Sequence, residues 1–241
     1  MRVGISDIWD GVKTKIQLSS QNIPKHVAIA IDGCEEYAEK NNVQLKEVYA
    51  TKFLNIKNLI KIGVKLNIPI LTFGMESLKS KEEEANCLAE FFNLLVGWDF
   101  IEQNQIKVSV LGKWYDLPER VIEPIKKILT NTKDYDKFFL NLCINYDGQQ
   151  EIVDACRLIA QQVKLDKIAP ESIDKAAVKD KIYASYFLPP DLMIKTGNNK
   201  ALNGFLLWDS AQSKIHFTDV LWPDFGKEDF LKAIVFYQSN S

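Results

Sequence analysis

Three carboxylates lie close together where an apolar segment gives way to a polar one. Residues 26–40 read HVAIAIDGCEEYAEK, in which a strand-like run stops at Asp32-Gly33 and a helix-forming segment follows with Glu35 and Glu36. Positions 32, 35 and 36 fall on one side of a helix start. Because Mg²⁺ binds one or two carboxylates together with phosphate oxygens, this spacing predicts a metal site at Asp32, Glu35 and Glu36.

A second interpretation of the two glutamates stays open. Acidic side chains in the first turn of a helix also complement the helix dipole, whether or not a ligand binds there. Without a counter-charge, three carboxylates would repel a phosphate group that the N–H groups of the helix start attract. Asp32 differs from the glutamates because it follows a buried strand, and we expect a functional role for it.

Strands and helices alternate along the chain. Apolar runs predict strands at 27–31, 68–73, 106–112 and 138–147, and amphipathic periodicity predicts helices at 35–42, 45–66, 80–100, 117–132, 148–163 and from Lys227 onward. This alternation predicts a single α/β domain with a mostly parallel central sheet and helices on both faces. Residues 1–25 are expected to be a leader that packs on a domain formed by residues 26–241.

The strand ends predict where a ligand binds. Open parallel sheets bind ligands beyond the carboxyl ends of their strands. Four segments follow strands of this type, namely Asp32-Gly33, Gly74-Met75, Asn145-Tyr146-Asp147 and the loop after Ile194. We therefore expect these segments to line one crevice.

Composition and charge exclude several classes of protein. Thirty basic against thirty-two acidic residues leave a net charge of −2, so no overall field favours nucleic acid. The four cysteines are widely spread and there are only two histidines, so neither a zinc site nor a disulfide framework is indicated. Residues 1–15 lack the continuous apolar core that is typical of a signal peptide, and no segment approaches the length of a membrane span. We expect a cytoplasmic protein with at most peripheral membrane contact.

Four segments, in order along the chain, carry a resemblance to a known family. They are HVAIAIDG (26–33), LNLCINYDGQQEIVDACR (140–157), LPPDLMIKTGNNKALNGFLLWD (188–209) and FTDVLWPDF (217–225). These segments resemble the cis-prenyltransferases, the family of undecaprenyl diphosphate synthase. The resemblance implies a homodimeric α/β enzyme with a hydrophobic tunnel, which uses an allylic diphosphate, isopentenyl diphosphate and Mg²⁺.

The residues that match the first family motifs are altered. Where the family reads D-G-N-G-R-W-A, this chain reads DGCEEYA, so the aspartate is kept and the phosphate-binding arginine is lost. Tyr49 stands where the family commonly has a histidine, and Ser77 is the one plausible survivor of F-S-x-E-N-W-x-R-P. We expect catalytic roles for Asp32, Glu36 and Ser77: the resemblance implies those of Asp32 and Ser77, and the acidic cluster predicts that of Glu36. It implies substrate contacts for four residues of this part of the chain: Gly33, Cys34, Tyr37 and Tyr49.

The later motifs have also lost charged groups. The family's R-x-G-G-E-x-R-x-S-N-F becomes KTGNNKALNGF (195–205), so Lys195 replaces one arginine and Ala201 the other. Lys195 and Asn203 are expected to contact substrate. Lys214 stands where the family has a glutamate that helps to hold Mg²⁺, and the C-terminal R-x-G motif is missing from IVFYQSNS. The ordinary site for the second diphosphate is therefore expected to be dismantled.

These departures predict a Mg²⁺-dependent enzyme that acts on an allylic prenyl diphosphate with non-standard chemistry, such as irregular coupling, an unusual acceptor, or ionisation and cyclisation. The stretch AEKNNVQLKEVYATKF is similar to small enzymes of this family that make irregular or cyclised products. One alternative is a non-catalytic partner subunit of a heteromeric cis-prenyltransferase, although such partners lose the aspartate and keep R-x-G. Another alternative is an isoprenoid-binding protein.

Overall fold

A computed structural model of the protein describes residues 18–19, 22–75 and 81–240. These ranges contain β1 (His26–Ala30), α1 (Cys34–Asn41), α2 (Leu45–Lys65), β2 (Ile70–Gly74), α3 (Lys81–Val96), α4 (Asp99–Gln103), β3 (Ile106–Leu111), α5 (Glu119–Thr132), β4 (Phe138–Cys143), α6 (Gly148–Lys164), α7 (Lys175–Lys179), β5 (Leu192–Lys195), β6 (Lys214–Phe217) and α8 (Lys227–Ser239).

All six of these strands join one parallel sheet. Their order across the sheet is β3-β4-β2-β1-β5-β6. The central strand β1 pairs on one side with β2 and on the other with β5, so that Val27 lies opposite both Leu71 and Leu192. The prediction of an α/β domain with a mostly parallel sheet is confirmed.

The two faces of the sheet are packed unequally. Side chains alternate along β1, so Val27 and Ile29 point into the larger core, and Ala28 and Ala30 into the smaller one. Helices α2, α3, α5 and α8 supply most of the larger core. The small alanines on the opposite face admit bulky side chains from the loop after β5, such as Phe205.

One predicted helix is divided. The sequence predicts a single helix over 80–100, whereas α3 ends at Val96 and the short α4 begins at Asp99. Gly97 and Trp98 separate them, and Trp98 has an extended backbone. The physical reason is that Trp98 leaves the helical conformation, and glycine at position 97 has a low helix propensity, which weakens the helix at this point.

The described part of the leader lies against α8. The side chain of Gln238 donates to the carbonyls of Ser19 at 2.7 Å and Asn22 at 3.0 Å, and accepts from the N–H of Ser19 at 3.1 Å. The boundary at residue 26 stays a prediction. Among the described helices, none has the length and apolar character needed to cross a membrane.

Candidate active site

A cavity of about 260 Å³ opens at the carboxyl edge of the sheet. It collects residues from the ends of β1, β2, β4 and β5 and from the loop after β5. Its lining consists of Ala30, Ile31, Asp32, Gly74, Met75, Cys143, Tyr146, Lys195, Leu202, Asn203 and Phe205. Each of the four segments expected to form the crevice contributes at least one of these residues. In the third segment only Tyr146 lines the cavity, whereas Asn145 and Asp147 form hydrogen bonds with the backbone. Asn145 donates to the carbonyl of Lys113, and Asp147 caps α6.

Asp32 is held firmly at the mouth of this cavity. Its backbone N–H donates to the hydroxyl of Thr196 at 2.9 Å, and that hydroxyl donates to the Asp32 carbonyl at 3.1 Å. One carboxylate oxygen accepts from the Gly33 N–H at 2.8 Å, and the other forms an ion pair with Lys195. The Asp32 side chain keeps 22% of its surface exposed, whereas that of Lys195 keeps 2%. The carboxylate is therefore oriented, neutralised and still reachable from solvent.

Two glycines allow the backbone to form this edge. Gly33 has a φ of 95°, and a Cβ there would lie 2.7 Å from a methyl group of Leu221. At Gly74 a Cβ would lie 2.6 Å from the ring of Phe205, which closes one wall of the cavity. Only glycine fits both positions without movement of a neighbour. Gly33 therefore forms the backbone turn between Asp32 and α1. Its contact with substrate stays a prediction.

The expected cluster of three carboxylates is not formed. Glu36 is exposed and accepts from the side-chain amide of Asn198, while Asp32 faces Lys195. Glu35 is partly buried on the turn between them. Within the described chain, no group of three acidic, histidine or cysteine side chains is placed to hold a metal ion. The physical reason is that Asp32, which precedes the helix, is held by Lys195, whereas Glu36 in the first turn of α1 is held by Asn198.

The two residues expected to contact substrate in the later motif both line the cavity. The Lys195 ammonium is shared between Asp32 and the carbonyl of Thr196, the latter at 3.0 Å. Asn203 accepts from the side chain of Asn199 at 3.3 Å. Lys200 and Lys214 lie elsewhere: Lys200 pairs with Asp219, and the Lys214 ammonium lies 4.6 Å from the centre of the Tyr237 ring.

The substrate contacts expected in the first motifs lie outside this lining. Cys34 is completely buried in the larger core, and Tyr37 packs against that core from a half-buried position. Tyr49 is 2% exposed and lies inside the same core. Ser77 falls outside the described residues, so its catalytic role stays a prediction.

A second, very small cavity lies between α2 and α3. Phe53, which belongs to its lining, stacks on Phe91 with ring centres 4.3 Å apart. The volume of the cavity is about 10 Å³, roughly the space of one water molecule. Its lining includes Tyr49, Lys52 and also Met75, which therefore borders both cavities. The hydrophobic tunnel implied by the resemblance stays a prediction.

Lys52 is a notable residue that the sequence interpretation missed. It is 3% exposed, and its ammonium lies 5.1 Å from the centre of the Tyr49 ring. A signal was available, because Val48, Lys52 and Ile56 are spaced four apart on the face of α2 that is otherwise apolar. A lysine at such a position is rarely buried without a partner.

A buried acid supports the far wall of the cavity. The hydroxyl of Tyr146 donates to Glu151 at 2.5 Å, and the other carboxylate oxygen of Glu151 accepts from the Tyr183 N–H at 3.0 Å. Burial raises the pKa of Glu151, and burial also raises the pKa of the nearby Cys143 thiol well above its usual range. Cys143 therefore stays a neutral thiol, and the wall contributes shape instead of a nucleophile.

Comparison with known proteins agrees with this architecture. The family described as putative undecaprenyl diphosphate synthase matches residues 30–241. A tritrans,polycis-undecaprenyl-diphosphate synthase (geranylgeranyl-diphosphate specific) from Methanocaldococcus jannaschii is 35% identical over 98% of this chain and 87% of its own length. An isoprenyl transferase from Prochlorococcus marinus is 32% identical over 100% of this chain and 90% of its own length.

A solved structure is also similar. Lavandulyl diphosphate synthase from Lavandula x intermedia, in complex with dimethylallyl diphosphate, superimposes with a TM-score of 0.84 at 28% identity and covers 90% of this chain and 95% of its own. A parallel sheet with an acidic residue and a lysine at its carboxyl edge, together with these matches, defines a transferase of isoprenoid units. The chain belongs to the undecaprenyl diphosphate synthase family, the cis-prenyltransferases. The predicted enzyme class is confirmed.

Proposed function

We propose that this protein is a Mg²⁺-dependent enzyme that ionises an allylic prenyl diphosphate and directs the allylic fragment into a product other than an ordinary long cis-polyprenyl chain. The observation that carries the proposal is the Asp32–Lys195 ion pair at the mouth of the 260 Å³ cavity. Both charged groups lie where the strand ends meet the start of α1, the place where open parallel sheets bind their ligands.

The chemistry follows from the charges at this mouth. When the allylic C–O bond breaks, the diphosphate leaves with the electron pair and needs cations or N–H donors to stabilise it. Lys195 supplies one positive charge, and α1 begins beside Asp32 with no side-chain cap, so its start is suited to phosphate oxygens. The apolar lining, with Leu202 and Phe205, keeps water from the allylic fragment.

Asp32 alone could serve as the protein ligand of the Mg²⁺ ion. Mg²⁺ is commonly bound through one or two carboxylates together with substrate phosphates, so one oriented and partly exposed carboxylate is a sufficient protein ligand. Bound at Asp32, Mg²⁺ would neutralise charge on the leaving diphosphate. Lys195 would then exchange its contact with Asp32 for one with a phosphate oxygen. Glu35 and Glu36 are not needed for this arrangement.

Two observations bear on which product forms. Several relatives are named as undecaprenyl diphosphate synthases, which favours ordinary elongation as the second candidate function. The similar solved structure is named as a lavandulyl diphosphate synthase and holds a five-carbon allylic diphosphate. The replacement of one family arginine by Lys195 and of another by Ala201 supports altered chemistry, since lysine lacks the fork that binds phosphate through two N–H groups.

The test separates these functions. The purified protein is incubated with allylic diphosphates of five to twenty carbons and Mg²⁺, with and without isopentenyl diphosphate, while diphosphate release and product masses are measured. We expect release without isopentenyl diphosphate, and its loss in Asp32→Asn. Glu171→Gln, which removes an exposed carboxylate on a turn remote from the sheet edge, is the control. Products lengthened by five-carbon units would identify ordinary elongation, and no consumption would favour the partner-subunit or binding alternatives.

We also propose that the enzyme works as a homodimer in the cytoplasm. The support is the family resemblance together with the edge strand β6, where Phe217 keeps 39% of its surface exposed. Light scattering coupled to size-exclusion chromatography should give twice the chain mass of 27.6 kDa. A single-chain mass at micromolar concentration would remove this part of the proposal.

A further inference from the structure

The cavity at Asp32, called the Asp32 cavity below, has one aromatic wall. Tyr146 and Phe205 both belong to its lining, with ring centres 6.4 Å apart and ring planes inclined by 79°. Tyr183 packs against Tyr146 in the same edge-to-face way, with ring centres 6.1 Å apart. The face of an aromatic ring carries partial negative charge and attracts cations. This wall is therefore suited to a ligand with positive charge on its apolar part.

A buried carboxylate lies next to Tyr146. Glu151 is 1% exposed, and the Tyr146 hydroxyl donates to one of its oxygens at 2.5 Å. The other oxygen accepts from the N–H of Tyr183 at 3.0 Å. Burial raises the pKa of Glu151, and these two hydrogen bonds oppose the rise because they stabilise the ionised form. Both donors are neutral groups, so they orient the carboxylate without cancelling its charge.

The cations near this wall are paired with other acids. Lys179 forms an ion pair with Asp209 at 2.6 Å, and Lys113 lies 3.4 Å from Asp154. Among the residues that the structure describes, no lysine or arginine forms an ion pair with Glu151. A buried charge without a counter-ion is costly, and such groups cluster at functional sites. Glu151 therefore adds a negative charge to this wall that a cation in the cavity would offset.

Two effects carry the charge of Glu151 to the cavity. The protein interior screens a charge far less than water does, so the field of the carboxylate extends past the ring of Tyr146. The hydrogen bond also polarises the phenol group, which raises the electron density of the ring and strengthens its attraction for a cation. A neutral ligand of the same shape gains little from either effect.

We propose that Tyr146 contacts and stabilises the allylic cation, and that Glu151 is its positioning residue. This inference rests on the ionisation step of the proposed function. When the C–O bond breaks, both bonding electrons leave with the diphosphate, and positive charge remains on the allylic fragment. Lys195 at the mouth of the cavity stabilises the anion, and Tyr146 on the wall stabilises the cation. The two products of ionisation are thus held by different groups of one site.

The experiment compares two ligands that differ in charge but not in shape. The diphosphates of dimethylaminoethanol and of isoamyl alcohol have equal numbers of heavy atoms, but the first carries a protonated nitrogen where the second has carbon. Neither has an allylic bond that can ionise. Each is titrated into the full chain with Mg²⁺ by calorimetry, and we expect the ammonium ligand to bind about tenfold more tightly than its carbon counterpart.

Three variants separate charge from packing. Glu151→Gln should lower this preference to below about threefold while the carbon ligand keeps its affinity within about twofold. Tyr146→Phe, which keeps the ring and removes its donor, should lower the preference by at least about twofold. Asp154→Asn is the matched control and should leave the preference unchanged. Asp154 lies one turn after Glu151 on α6 and accepts from the Tyr183 hydroxyl at 2.6 Å, but Arg157 at 3.0 Å balances its charge.

Several outcomes would overturn the inference. Equal weakening of both ligands in Glu151→Gln would assign this residue a purely structural role, and an unchanged preference would remove it from the site. Equal binding of the two ligands to the unaltered protein, or no binding of either, would contradict the role of Tyr146. Circular dichroism spectra that match those of the unaltered protein verify that each variant is folded.

The proposed function is tested separately by diphosphate release from an allylic substrate. Release without a preference for the ammonium ligand would remove only the role of this wall. A preference for the ammonium ligand without release would support a cation-binding wall and contradict only the proposed ionisation.

Discussion

The Asp32–Lys195 pair predicts an asymmetric response to mutation. The Lys195 side chain keeps only 2% of its surface exposed, whereas Asp32 keeps 22%. Asp32→Asn therefore leaves an almost fully buried ammonium without its counter-charge, and removal of one partner of a buried pair costs about 3–5 kcal/mol. Lys195→Met leaves a carboxylate that water can reach and that still accepts from the Gly33 N–H. We expect that variant to lose no more than about 1–2 kcal/mol.

A double variant tests whether this difference in stability between the two single variants arises from the ion pair itself. When the ammonium is removed as well, the buried charge disappears, so Asp32→Asn/Lys195→Met should be more stable than Asp32→Asn alone by about 2 kcal/mol. The assay is the free energy of unfolding from urea titration, with circular dichroism as the probe and equal slopes required for comparison. Equal stability of the two single variants, or a double variant weaker than both, would falsify the assignment of Lys195 as the internal counter-ion of Asp32.

Three further predictions follow from other parts of the structure. Gly33→Ala should lower the free energy of unfolding by about 1–3 kcal/mol, because alanine is strained at a φ of 95° and its Cβ would meet Leu221. Thermal melting measures this destabilisation, and an unchanged melting temperature would contradict the prediction. Burial lowers the pKa of His26 from 6.5 to about 4, so the unfolded chain binds more protons than the folded chain between these pH values. The free energy of unfolding should therefore fall by up to roughly 3 kcal/mol from pH 6.5 to 4. Urea titration at each pH measures this loss, which should shrink in His26→Gln. Met75 separates the Asp32 cavity from the small cavity between α2 and α3, so Met75→Ala should join them and shift the preferred allylic diphosphate toward longer chains; an unchanged ratio of rates for five- and fifteen-carbon substrates would contradict this.

The sequence was sufficient for most elements of the fold because each has a strong local pattern. The long helix predicted at 45–66 is α2, and the strand predicted at 106–112 contains β3. The order of strands could not be predicted in this way. It depends on pairings such as Val27 with Leu192, which are distant in the sequence and have no local signal.

The same distinction between local sequence patterns and long-range packing applies to the candidate active site. The strand ends pointed to Asp32 and Lys195, because strand ends of a parallel sheet meet at one edge, and the family resemblance pointed to Asn203. All three residues line the cavity, and their contacts with substrate stay predictions. It could not show that Glu36 accepts from Asn198, a residue 162 positions away, and so the spacing of three carboxylates suggested a cluster. Local spacing limits which side chains can meet, and long-range packing determines which of them do.

Lys195 shows why the chemistry of one residue matters at this edge. An ammonium is a compact point charge on a flexible chain, so it can lie buried between Asp32 and the carbonyl of Thr196. A guanidinium has a rigid planar fork that favours bidentate contacts with phosphate. At this position lysine therefore directs its charge toward the protein until a ligand competes for Asp32. Under the proposed function, substrate binding would release the Lys195 charge to stabilise the leaving diphosphate, so ionisation would depend on a correctly bound ligand.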